Sequence, residues 1–150
     1  MKLNPDDFAK TDTRIGRKKE HTVRALIDAV NKYDLHCSPV TIRYMTTFPD
    51  EINGCGRDDE RFPHTMYGLL IVWACYIHDA EWGISTTHAD LEMANIKFRQ
   101  NLDKIIDKDS ANTLMKWIRG YRVRSYYNGV QYVGLPQELR NKGLDREEDV

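Results

Sequence analysis

In the run Ala74-Cys75-Tyr76-Ile77-His78-Asp79-Ala80-Glu81-Trp82, a histidine, two carboxylates and an indole crowd into positions 78 to 82. A neutral imidazole is suitably basic near pH 7, and a carboxylate is a hard oxygen donor, so these types suit proton abstraction beside a cation. Tyr67 to Ile77 is almost continuously apolar, which predicts a helix buried nearly all round that ends in this polar run. Tyr67, Ile71 or Ala74, His78 and Trp82 fall along one stripe of it. Asp79 projects about 100° from His78 at helical spacing, so the two side chains serve different partners.

A second helix must position whatever supports the histidine. Thr86 or Thr87 can cap it, and Leu91, Ala94, Phe98, Leu102 and Ile105 recur at steps of three and four. Asn95 lies inside this apolar stripe, whereas Asp90 lies about 90° from its centre. Asn95 is therefore the polar residue expected to be buried against the first helix. A buried amide needs partners, and a histidine on the facing helix is a good one.

Residues 75 to 82 resemble the C-x-x-H-D-x-x-Y signature of the phospholipase A2 superfamily. Ala94 to Leu102 is similar to the A-D-x-x-F-x-x-N-L segment of its bacterial and phage-encoded members, and Asn53-Gly54-Cys55-Gly56 is similar to its glycine-rich calcium loop. The likeness runs in order from residue 53 to residue 133. It implies that His78 is the general base, that Asp79 is the side-chain ligand of Ca2+, and that backbone carbonyls around Asn53, Gly54 and Gly56 supply further oxygens. It also implies a disulfide between Cys55 and Cys75 that leaves Cys37 unpaired. The alternative for the three cysteines is that all stay reduced, as in a cytoplasm.

Two positions depart from the signature. Asn95 stands where the family carries the aspartate that orients the histidine, and Trp82 stands where it carries a tyrosine. An amide can hold one imidazole tautomer, but it has no charge to stabilise an imidazolium. In a serine-protease triad, losing the buried carboxylate costs about ten-thousandfold in rate. Two functional expectations follow. One is a calcium-dependent, phospholipase A2-like lipid ester hydrolase of phage or bacterial type. The other is a catalytically lapsed scaffold of the same kind, acting as a phage structural or host-interaction protein.

The remaining chain must supply the frame. At 150 residues a single domain with a sizeable core is expected, and the net charge of -1 selects neither nucleic acid nor membrane. Residues 1–18 read as a polar arm, 19–134 as the domain and 135–150 as a polar tail. Val23, Leu26, Ile27, Val30 and Tyr33 predict a helix over about 19 to 35, while 37–66, punctuated by Cys37, Pro39, Pro49, Gly54, Gly56 and Pro63, reads as mostly irregular. His21 and His36 read as surface or loop residues, and the charge run Arg57 to Arg61 reads as solvated. Ser110 is expected to cap a third long helix reaching about Tyr127, with Leu114, Ile118 and Tyr121 on its apolar face. Gly129 to Val133 reads as a short extended piece.

On that third helix Lys116, Arg119, Arg122 and Arg124, flanked by Trp117, could meet anionic headgroups with an aromatic at the lipid boundary; the plainer reading is a solvated face. A peripheral phospholipid surface is thus one expected partner, and phage-particle or host proteins are others. Neither an RNA motif nor a helix-turn-helix pattern is present, so nucleic acid is not expected. Cys37, Cys55, Cys75, His64 and His78 have none of the spacings of a zinc site. The first residues carry no apolar signal segment, which leads to the expectation of synthesis in a cytoplasm, with later release or incorporation into a virion. The expected fold is mainly α: two long antiparallel helices carrying the His-Asp site, a glycine-containing calcium loop across their end, and flanking helices.

Overall fold

A computed structural model describes residues 2–55, 65–66 and 69–145. The chain is mainly helical. Helices α1 (Val23–Tyr33) and α2 (Pro39–Thr47) precede a two-stranded antiparallel hairpin, β1 (Thr65–Met66) and β2 (Leu69–Leu70), in which Thr65 pairs with Leu70. Helices α3 (Val72–Ile84), α4 (His88–Asp109), α5 (Thr113–Gly129) and α6 (Leu135–Lys142) follow, the last two joined by a π turn at Val130–Gly134.

Local chemistry explains most boundaries. The Thr22 hydroxyl accepts from Ala25 N at 3.2 Å to start α1, and Asp34 closes it in the left-handed region. Helix α2 falls in the stretch expected to be irregular. Its Ser38 and Pro39 resemble loop residues in sequence, yet here they are the N-cap and the first helical position, where a missing N–H costs nothing. Thr87 begins α4 through a capping box in which Asp90 Oδ2 accepts from the N–H groups of Thr86 and Thr87, each at 3.2 Å. Asn112 rather than Ser110 caps α5.

Helices α3 and α4 form the hairpin around which the rest packs. Trp82 and His78 both bond Asn95, and His78 also packs on Phe98, so positions falling along α3 meet positions rising along α4. The pair is antiparallel, as expected. Ile71, Val72, Ala74, Tyr76 and Ile77 are buried with Leu91, Leu102 and Ile105 of α4 and Leu26 and Ile27 of α1. Asn101 extends the frame, accepting from His36 N at 2.7 Å and donating to His36 O at 3.1 Å.

Both termini depart from expectation. Residues 1–18 are not a free arm: Ile15 is fully buried, Leu3 exchanges two 2.7 Å bonds with the Asn31 side chain, and Gly16 N donates to Ile52 O at 3.1 Å. Single apolar residues in a polar stretch carry no periodicity, so this packing left no pattern to read. His21 is likewise buried, bonded through Nδ1 to the Tyr76 hydroxyl at 2.7 Å. At the other end, Gly129 to Val133 is helical rather than extended, and 135–142 of the expected tail is helix α6. Leu135 is buried, and Lys142 Nζ donates to Ser85 O at 2.8 Å just beyond the C-terminus of α3, where a cation is favoured.

Candidate functional site

His78 is buried on α3, with 6 % of its surface exposed. Its Nε2 lies 2.7 Å from Asn95 Oδ1, and its ring packs between Trp82 at 4.5 Å and Phe98 at 4.7 Å. Asn95 is fully buried and has two further bonds: its Oδ1 accepts from Trp82 Nε1 at 3.0 Å, and its Nδ2 donates to Gln131 Oε1 at 2.9 Å. Burial disfavours the charged ring and pushes the His78 pKa down to about 4, an effect the bond to Asn95 only partly opposes. The imidazole is therefore neutral at neutral pH. Asp90, the acid at the edge of the apolar stripe of α4, is committed to the capping box.

Asp79, one residue on, serves a different partner. Its Oδ2 accepts from Asn53 N at 2.9 Å and Gly54 N at 2.7 Å. The loop reaches it because Cys55 is bonded to Cys75, one turn before Asp79 on the same helix, and because Gly54 takes a φ of 102°. Cys37 is free, and burial pushes its thiol pKa up. Gly56, Arg57 to Arg61, His64 and Tyr67 lie outside the described residues.

Calcium takes about six to eight oxygen ligands. Asp79 and the peptide carbonyls of the loop have the right donor chemistry for such a hard cation, although in this structure the loop turns N–H groups toward Oδ2. Among the described residues no cluster of three or more His, Cys, Asp or Glu side chains stands ready for a metal. Zinc ligation by the cysteines has no geometry to rest on, since two of them are joined to each other.

The expected interfacial set is divided. Lys116, Trp117, Arg122 and Arg124 are exposed on α5, but Arg119 is 7 % exposed and turned inward, where its Nε donates to Met66 O at 3.1 Å and its Nη1 to Ser110 Oγ at 2.9 Å. Of the face expected to be apolar, Leu114 (64 %) and Tyr121 (66 %) stand out in solvent beside Trp117 (71 %), while Ile118 is half-buried. Val123 occupies the inward face with Arg119. Helical periodicity identifies a stripe without saying what covers it.

Two contributors, Gln131 and Gly134, escaped the sequence reading. Gln131 reaches Asn95 from the π turn, and such turns recur at functional sites. Gly134, on the same turn, leaves room for the Trp82 ring, since a Cβ there would sit 3.1 Å from Cη2. Glu81 is pushed up to about 7 by burial, opposed by Lys97. Neither Gln131 nor Gly134 has a periodic or motif signal, because each acts through contacts between distant segments; Glu81 belongs to the polar run already read from the sequence. Arg14 and Arg17, on the stretch expected to be a polar arm, line an open cleft of about 290 Å3 with Asp50 and Asn53.

No helix among the described residues is long and apolar enough to cross a membrane. Comparison of the chain with models of known protein families, with curated proteins and with solved structures finds no match.

Proposed function

We propose that the chain is a calcium-dependent, phospholipase A2-like lipid ester hydrolase. The observation that supports this reading is the divergence of two consecutive residues midway along the buried helix α3. The His78 imidazole bonds Asn95 on the facing helix, while the Asp79 carboxylate meets the backbone of Asn53 and Gly54 in a loop tied to the same helix by a disulfide.

In this reading a water attacks the ester carbonyl carbon, and His78 takes the proton through the ring nitrogen not bonded to Asn95. The ester C–O bond then breaks, and the proton passes from the imidazole to the departing alkoxide. Trp82 and Phe98 enclose the ring, exclude water from its faces and hold its plane. Asp79 and loop carbonyls around Asn53, Gly54 and Gly56 would hold Ca2+. When bound, the ion supplies positive charge for the carbonyl oxygen as it becomes negative. Lys116, Trp117, Arg122 and Arg124, with Leu114 and Tyr121, would meet a phospholipid surface.

A second reading has its own support. Asn95 is neutral and, among the described residues, no carboxylate bonds the buried ring, so an imidazolium formed in catalysis would go uncompensated. On that reading the scaffold is retained as a structural or interaction protein, with a phage-particle or host protein as its partner.

Calcium titration by calorimetry on wild type and Asp79→Asn, with cleavage of mixed phospholipid vesicles followed in the same buffers, separates the two. The hydrolase reading expects binding that the variant loses and calcium-dependent cleavage that His78→Gln abolishes. Calcium binding without cleavage selects the lapsed scaffold, and absence of both removes the calcium assignment as well.

A further inference from the structure

Asn95 is the only group that the described geometry places on Nε2 of His78, and an amide, unlike a carboxylate, has two unlike ends. Which end faces the ring decides the tautomer. The oxygen requires a proton on Nε2 and leaves the lone pair on Nδ1. The NH2 group would require the reverse.

We propose that Trp82 is a positioning residue that sets the tautomer of His78 through Asn95, with Gln131 anchoring the far end of the amide. The indole Nε1 can only donate, so the atom it meets at 3.0 Å must be the oxygen of Asn95. That same oxygen lies 2.7 Å from His78 Nε2, and an amide oxygen can only accept, so Nε2 carries the proton. The NH2 group is left pointing the other way, where it donates to Gln131 Oε1 at 2.9 Å. Rotating the amide would set its NH2 against the indole N–H, two donors face to face in a buried site. Gln131 alone could not enforce the orientation, because its own amide can turn to offer either end. The donor-only indole is therefore the asymmetric part, and Gly134 leaves the space its ring needs.

Asn95 and Trp82 thus form one device. A carboxylate at position 95 would present an oxygen whichever way it turned and would need no such neighbour. An amide at 95 needs a neighbour that only donates. The tautomer assignment stands without the hydrolase reading. Its effect on rate rests on that reading, since only there does Nδ1 act as the base.

The test is nitrogen NMR of the imidazole in the full-length, 15N-labelled chain in neutral buffer, with the His78 signal assigned by its loss in His78→Gln. Wild type should show an Nε2–H ring. Trp82→Phe keeps an aromatic ring against the imidazole but removes the donor. It should shift the tautomer ratio toward Nδ1–H about fivefold, the worth of one hydrogen bond. Gln131→Leu should shift it less, since the indole still forbids the rotated amide. Adding Asn95→Asp to Trp82→Phe should return the ring to Nε2–H, a rescue that a purely structural role for the indole would not produce.

An Nδ1–H ring in wild type overturns the proposal. So does a tautomer ratio indifferent to Trp82→Phe in a variant whose Phe98 ring contacts to His78 persist. Hydrolysis measured alongside keeps the two readings apart. If the tautomer responds and no lipid is cleaved, the lock stands and the hydrolase reading falls. If wild type cleaves lipid and the tautomer ignores Trp82, the reverse holds. Where both hold, Trp82→Phe should lower kcat about tenfold with KM unchanged, the mark of an interaction made in the transition state.

Discussion

Asn95→Asp is the single substitution that bears most directly on the site. It places a charge against His78 Nε2, and the carboxylate can still accept from the Trp82 indole while Gln131 turns its amide to donate. The imidazolium would then be stabilised as it forms, and under the hydrolase reading vesicle cleavage should rise about tenfold or more. An unchanged or lower rate in the folded variant would count against the role assigned to position 95. The native site has a pH signature of its own. The ring titrates near 6.5 when free and is pushed down to about 4 when buried. Between those values the unfolded chain binds a proton that the folded chain refuses, so His78 makes stability fall as pH falls through that window. The loss is on the order of 3 kcal/mol. Urea midpoints in chelator from pH 7 to 4, wild type minus His78→Gln, should show this slope. Glu81 slopes oppositely between its ordinary value and about 7, and it cancels in that difference.

Among the elements, α5 has two faces with opposite consequences. The outward stripe of Leu114, Trp117 and Tyr121, bordered by Arg122 and Arg124, is exposed, so truncating it should leave the fold intact. Trp117→Ala with Tyr121→Ser is expected to leave the melting temperature within a degree or two and to reduce partitioning onto anionic vesicles about tenfold. Partitioning unchanged by the substitutions, and by salt, would remove the membrane role from this helix. The inward face behaves differently. Arg119→Met deletes the donors to Met66 O and Ser110 Oγ inside the protein and should cost about 2 kcal/mol, read as a lower urea midpoint at unchanged slope. The two measurements together sort a basic residue that faces solvent from one that ties the β hairpin to α5.

For the whole molecule, the Cys55–Cys75 bond joins positions 20 residues apart and sets the loop against α3. Closing a segment of that length stabilises by about 3 kcal/mol, mainly by restricting the unfolded chain. Reductant should therefore lower the urea midpoint, and a Cys55→Ser, Cys75→Ser variant should reproduce the shift and no longer respond to reductant. Calcium affinity, if present, should fall in the same variant, because the loop would lose its tether beside Asp79. Cys37 is partly exposed and should alkylate more slowly in the folded chain than after unfolding, since burial pushes its thiol pKa up.

Much of this arrangement was legible in the amino-acid sequence because it depends on spacing along single helices. The buried character of α3, the divergence of His78 from Asp79 and the burial of Asn95 all follow from a period of 3.6 residues, and the short link between Ile84 and His88 returns α4 antiparallel. What spacing cannot encode is which distant segment covers a face. Ile15 and Leu3 pack although nothing periodic surrounds them. Arg119 turns inward, where the hairpin at Met66 offers a carbonyl, while Trp117 turns out and stays 71 % exposed. Above all, the second half of the support for His78 comes from a π turn 36 residues beyond Asn95, where Gln131 holds one end of an amide whose other end Trp82 orients. The sequence by itself determined which histidine and which carboxylate diverge and the helices that hold them. The tertiary structure alone decided how the amide between them points, because that depends on donors and acceptors brought together across the fold.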